Sequence, residues 1–79
     1  MPKSIHSIEY QVLTGLLIDA RRKAGLTQQQ LAEKLGRPQS WVAKTEGGER
    51  RLDVVEFVQL LRALGASPTD VIGRLDDQI

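Results

Sequence analysis

Glycines at positions 25, 36, 47, 48 and 65 cut this chain into short pieces, and each piece opens on a residue suited to starting a helix. Ser7 precedes a stretch in which Ile8, Val12, Leu13, Leu16, Leu17 and Ala20 recur at three- and four-residue steps, the spacing of one apolar stripe on a helix. Ala24-Gly25 closes it, because glycine takes the left-handed conformation that ends helices, and Arg21, Arg22 and Lys23 suit the negative end of the helix dipole. Thr27-Gln28-Gln29-Gln30 then sets a Gln three residues after a Thr, a capping-box arrangement, ahead of Leu31, Ala32 and Leu35. Pro38 fits the first turn of a third helix running to about Glu46. Asp53, with Glu56 three residues on, opens a fourth that carries Val55, Phe57, Val58, Leu60, Leu61 and Leu64. Ser67-Pro68-Thr69-Asp70 opens a fifth that carries Val71, Ile72 and Leu75. No strand-like alternation interrupts this series. The pattern predicts an all-α bundle of five short helices: one domain over 7–75, a flexible tail over 1–6 and a C-terminal tail over 76–79.

A chain of 79 residues is close to the lower limit for folding alone, since such a domain buries only about 60% of its unfolded surface. It has no Cys to form a disulfide or a thiolate metal site, which leaves pairing with a second copy as the common way to add buried area. No apolar run approaches the roughly 18 residues of a membrane span. The leading MPKSIHS is not the core of a signal peptide, so a cytoplasmic, nucleoid-associated protein is expected. An enzyme is not: one His, no Cys and no clustered carboxylate pair leave almost no chemistry. His6 has no second ligand candidate near it, and neither a metal nor a cofactor is expected. The formal net charge is only +1, but it is polarised. Between Arg21 and Arg51 stand eight cations and three anions; the rest of the chain holds three cations and seven anions. Such a basic middle attracts a polyanion on one side of the molecule.

The second and third helices, joined by Gly36-Arg37, have the lengths of a helix-turn-helix, whose second helix enters the DNA major groove. On a helical wheel of the third, Val42 and Thr45 turn toward the core, while Gln39, Ser40, Ala43, Lys44 and Gly47 share the outer face. An amide, a hydroxyl and an ammonium are the groups that read base edges there: Gln pairs with adenine, Lys with guanine, Ser with either. The stretch GLTQQQLAEKLGRPQSWVAKTEGGERR resembles the helix-turn-helix of the Cro and phage-repressor family, the XRE family of bacterial and phage regulators. The matching pieces are G-L-T-Q-x-x-L-A, L-G and Q-S-x-V-x-K-x-E-x-G, and the wider likeness spans about residues 12–75.

The resemblance implies a compact lambda-repressor-like DNA-binding domain and a sequence-specific transcriptional regulator, a repressor by expectation, bound to a palindromic operator as a dimer. It implies base reading by Gln39, Ser40 and Lys44. It implies backbone contacts by Thr27, Gln28, Arg37, Arg50 and Arg51, which fix register without choosing sequence. It also implies a structural ion pair between Arg21 and Glu46. Trp41 lies at the flank of the outer face, either packed between helices or set against a sugar edge or thymine methyl. Pro38 departs from the family's usual Ser or Thr cap. Surplus apolar residues Val54, Val58, Val71, Ile72, Leu75 and Ile79 offer a homodimer seam on the fourth and fifth helices or fill the monomer core. With no room for a sensory domain, regulation falls to concentration, operator arrangement or a partner, and contact with RNA polymerase stays open. The alternative is an antitoxin or other protein-binding module of the same fold, whose main task is to mask a toxin or similar partner. The apolar fifth helix and the acidic tail DDQI support that reading.

Overall fold

The computed structural model describes residues 7–79; His6 and the expected tail over 1–6 lie outside them. The described residues form five helices and no strand: α1 (Ile8–Lys23), α2 (Gln28–Leu35), α3 (Gln39–Glu46), α4 (Val54–Ala63) and α5 (Pro68–Gln78).

Four of the five starts are fixed by a side chain that accepts an otherwise unpaired first-turn N–H. Ser7 Oγ accepts from Tyr10 N at 3.0 Å and Ser67 Oγ from Asp70 N at 3.2 Å. Two helices have reciprocal capping boxes. In α2, Thr27 accepts from Gln30 N (3.1 Å) while Gln30 accepts from Thr27 N (2.9 Å). In α4, Asp53 accepts from Glu56 N (2.7 Å) while Glu56 accepts from Asp53 N (3.0 Å). Helix α3 is the exception. Pro38 does not enter its first turn, as its residue type suggested, but stands one place earlier in extended backbone and offers no side-chain cap. That extended residue redirects the chain after Gly36, whose φ of +66° ends α2 in the left-handed region. The other difference is at the C-terminus. With no stop signal after Leu75, α5 continues to Gln78, through the segment whose composition suggested a tail.

All five helices and the short link after α4 feed one core. Leu17 of α1, Leu31 and Ala32 of α2, Val42 of α3, Phe57, Leu60 and Leu61 of α4, and Leu64 and Val71 close into one buried cluster. Fully burying a Leu or Val side chain contributes about 1.5–3 kcal/mol, so this cluster carries helices of eight residues that would be marginal alone. Helices α2 and α3 pack on each other most extensively, α1 backs α3, and α4 backs α2. The helix-turn-helix pair is thus held from behind, and its front is left open.

Candidate nucleic-acid interface

Burial divides α3 into two faces. Val42 and Thr45 are fully buried and Glu46 nearly so, while Gln39, Ser40 and Lys44 are exposed side by side on the opposite face, with half-buried Ala43 between them. Thr45 meets its burial by donating Oγ1–H to the Trp41 carbonyl at 2.7 Å, the back-bond by which a hydroxyl fits a helix interior. The amide, hydroxyl and ammonium therefore point outward because the apolar residues one step away have claimed the core.

Gln39 is held in place. Its Nε2 donates to Gln28 Oε1 at 2.8 Å, and Gln28 Nε2 in turn donates to Glu46 Oε1 at 3.0 Å. Glu46 accepts two bonds from Arg21, Nε to Oε2 at 2.6 Å and Nη2 to Oε1 at 3.0 Å, and Arg21 Nη1 ties back to the Leu26 carbonyl at 2.8 Å. A continuous chain of charge-assisted and amide hydrogen bonds thus runs from α1 through the end of α3 to the start of α2 and out to the first residue of α3. The hydrogen bond to Glu46, outweighing the cost of burial, holds the Arg21 guanidinium protonated above its already high range. The same bidentate geometry satisfies both carboxylate oxygens of a nearly buried acid. Gln28, expected from the resemblance to clamp a phosphate, spends both ends of its amide inside this chain.

A second cluster surrounds Trp41. The guanidinium groups of Arg37, from the turn before α3, and Arg50, from the loop after it, lie over the indole ring at 4.7 and 4.6 Å from its centroid. Cation–π contacts of this kind contribute about 0.5–2 kcal/mol each, depending on solvent exposure. They offset an unpaired group: Trp41 Nε1 is buried with no acceptor in reach. Trp41 therefore packs against the protein's core and its own arginines. Arg50 Nη2 also contacts Glu56 Oε2 at 3.2 Å, and Nη1 reaches Thr45 Oγ1 at 3.4 Å. Arg50, placed by the resemblance on the DNA backbone, is turned inward. Its neighbour Arg51 is exposed, as are Thr27 and, in part, Arg37.

The loop bearing these arginines is anchored by a residue that sequence patterns did not single out. Tyr10 Oη accepts from Leu52 N at 2.9 Å and lies 3.5 Å from the Arg50 carbonyl, joining α1 to a segment some forty residues away. In the sequence, Glu56 shows only as half of a capping box. Neither long-range role has a local signal beyond the position of the chain's sole Tyr beside an apolar stripe.

Residues 13–71 match the family model described as a helix-turn-helix domain. An XRE-family like protein from Pseudomonas syringae pv. tomato str. DC3000 superposes with a TM-score of 0.87 at 49% identity, over 95% of this chain and 92% of its own. The chain belongs to the XRE-like helix-turn-helix regulators. This is a family of DNA-binding transcription regulators, not of enzymes. An uncharacterised HTH-type transcriptional regulator of Sinorhizobium fredii, y4dJ, is 32% identical over 57 residues, which cover 72% of this chain and 74% of that protein. The clp gene regulator ClgR of Corynebacterium glutamicum has the same fold, with a TM-score of 0.79 at 24% identity over 91% of this chain and 77% of its own. The exposed face of α3 is held by two supports, the Gln28–Glu46–Arg21 chain and the Trp41 cluster.

Proposed function

We propose that the protein is a sequence-specific regulator of transcription that binds an inverted-repeat operator as a homodimer, with α3 of each copy in a major groove. The observation that carries this reading is the outer face of α3, where Gln39, Ser40 and Lys44 stand exposed over a buried Val42 and Thr45. Gln39 supplies an amide for adenine, Lys44 an ammonium for guanine O6 and N7, and Ser40 a hydroxyl for either. Gln28 contributes by holding Gln39. Thr27, Arg37 and Arg51 are the exposed groups available to phosphates on either side, and such contacts set register and depth.

One eight-residue reading helix touches few base pairs, and a two-fold pair doubles the site. A groove between α4 and α5, floored by Leu13 and Phe57 and rimmed by Val54, Val58, Ile72 and Leu75, supplies the apolar area for that pair. Val54, Ile72 and Ile79 are all more than half exposed. Val71, grouped with them on sequence, belongs to the monomer core. A two-fold pair that binds an inverted repeat needs its reading helices on one face of the duplex, about 34–36 Å apart. Bound over a promoter, it represses by excluding polymerase.

Selection from random duplex DNA tests this. The wild type is expected to enrich an inverted repeat with half-sites one helical turn apart. Lys44→Ala is expected to lose preference at one base step per half-site, worth about 1–3 kcal/mol of discrimination. No enriched repeat, or an unchanged preference in the Lys44 variant, refutes the reading.

A further inference from the structure

Glu56 faces more charge than its capping role requires. Its Oε1 accepts from Asp53 N, closing the capping box of α4 at 3.0 Å. Its Oε2 lies 3.2 Å from Arg50 Nη2 and 3.8 Å from Arg37 Nη2. Those two cations come from opposite ends of α3, and both lie over Trp41. One carboxylate on α4 thus gathers the flanking cations of the reading helix onto its one aromatic residue. The contacts differ in strength. Arg50 is largely enclosed, whereas the Arg37 side chain is 41% exposed and its 3.8 Å contact is long. Exposed ion pairs of that kind are weak and easily exchanged.

Guanidinium groups pair with carboxylate and with phosphate by the same charge-assisted hydrogen bonds, so a carboxylate within reach of two of them competes with phosphate for both. We propose that Glu56 is a positioning residue for selectivity, an internal stand-in for phosphate that keeps Arg37 and Arg50 from gripping any duplex indiscriminately. The inference rests on the DNA-binding function proposed above. When base contacts let α3 settle fully into a groove, the backbone phosphates come near enough to displace the carboxylate from Arg37. On a wrong sequence the helix stands off, the exchange does not occur, and both arginines stay neutralised. Affinity for non-specific DNA scales with the number of phosphates neutralised, so withholding cations from that mode raises the ratio of specific to non-specific binding.

The test is Glu56→Gln. Glutamine serves equally well at the third position of a capping box and keeps an acceptor for Arg50, so the fold is retained while the charge is lost. Binding to a duplex of unrelated sequence is expected to tighten several-fold at low salt. The slope of log affinity against log salt should steepen by about 0.9 for each cation released. Affinity for the selected operator should rise less, so the ratio of the two falls. Adding Arg37→Ala to the Glu56 variant should remove part of the non-specific gain. A second measurement needs no variant: Trp41 is the chain's sole tryptophan, so its emission should shift on the operator and not on the unrelated duplex. Unchanged non-specific affinity and salt slope in Glu56→Gln, or the same emission shift with both duplexes, overturns the proposal. Failure of the wild type to select any operator overturns the functional reading itself, a different and separately visible result.

Discussion

Gln28 and Gln39, eleven residues apart, share a 2.8 Å hydrogen bond from the Gln39 amide nitrogen to the Gln28 amide oxygen, and this bond joins the first residue of α2 to the first residue of α3. It fixes more than one side chain, because the other end of Gln28 is held by Glu46, itself doubly bonded to Arg21. A long amide at the mouth of a groove has several rotamers, and binding a base requires one of them. On the base-reading role proposed for Gln39, the support chain settles that choice before DNA arrives and meets part of the ordering cost in advance.

Gln28→Ala releases Gln39. Immobilising a rotamer-rich side chain at an interface costs about 0.5–1.5 kcal/mol. Operator affinity is therefore expected to fall roughly two- to tenfold, with the loss confined to the base step that Gln39 reads. In a Gln39→Ala background the same change should cost almost nothing further in affinity, since coupled positions are not additive. Titrations of the two single variants and the double variant measure this directly. Full additivity would show that Gln28 acts on DNA by itself.

Glu46→Ala leaves the largely enclosed Arg21 without its counter-ion and Gln28 without its acceptor. Breaking a buried pair from one side costs about 3–5 kcal/mol, against a total stability of about 5–15 kcal/mol for a domain. Chemical denaturation should show a lowered midpoint with an unchanged slope. Because the Arg21 pKa is raised, its share of the stability is fully present below the unfolded guanidinium value and is lost only as pH climbs through the still higher folded value. No loss from the arginine is expected anywhere near neutral pH.

These supports separate what the sequence could show from what it could not. The capping boxes of α2 and α4 were legible because Thr27 and Gln30, or Asp53 and Glu56, lie three residues apart and meet as soon as the helix forms. The inward turn of Val42 and Thr45 followed from helical period alone. The competition for partners was not legible. Gln28 has the residue type of a phosphate contact, yet an acid eighteen residues away claims it. Arg50 sits in a loop where a cation is expected to face outward, yet Trp41 and Glu56 draw it in. Periodicity decides which side of a helix a residue occupies. It does not decide which of several polar groups, brought together by the whole fold, that residue will choose.

Arg50 and Arg51 are adjacent, and their environments predict opposite phenotypes. Arg51→Ala removes an exposed cation. It should leave the melting temperature almost unchanged, weaken binding about equally on all sequences, and flatten the salt slope by about one unit. Arg50→Ala removes a stacking and ion-pairing group from Trp41 and Glu56. A stability loss of about 1–3 kcal/mol is expected, in the ordinary range for a partly buried network. Thermal unfolding and salt-dependent binding, run on both variants, distinguish the two. A flattened salt slope with intact stability in Arg50→Ala would assign that residue to the DNA backbone instead.

The groove between α4 and α5 gives the last prediction. Val54 is 77% exposed and is the first residue of α4, just after the Asp53 cap. An acid is welcome in the first turn of a helix, where it complements the positive end of the dipole. Val54→Glu should therefore leave the monomer as stable as before while placing a charge at the rim of the apolar groove. If two copies pair there, the substitution sets two carboxylates against an apolar partner surface, and the dimer should dissociate at concentrations where the wild type is paired. Ile72→Glu on the opposite rim should act alike. Sedimentation velocity reads the dissociation. Operator binding should change from one steep transition to weak, independent occupancy of half-sites. A wild type that stays monomeric both free and on its operator would instead leave this groove to a different protein chain. In that case Val54→Glu would abolish capture of that partner while leaving half-site binding intact.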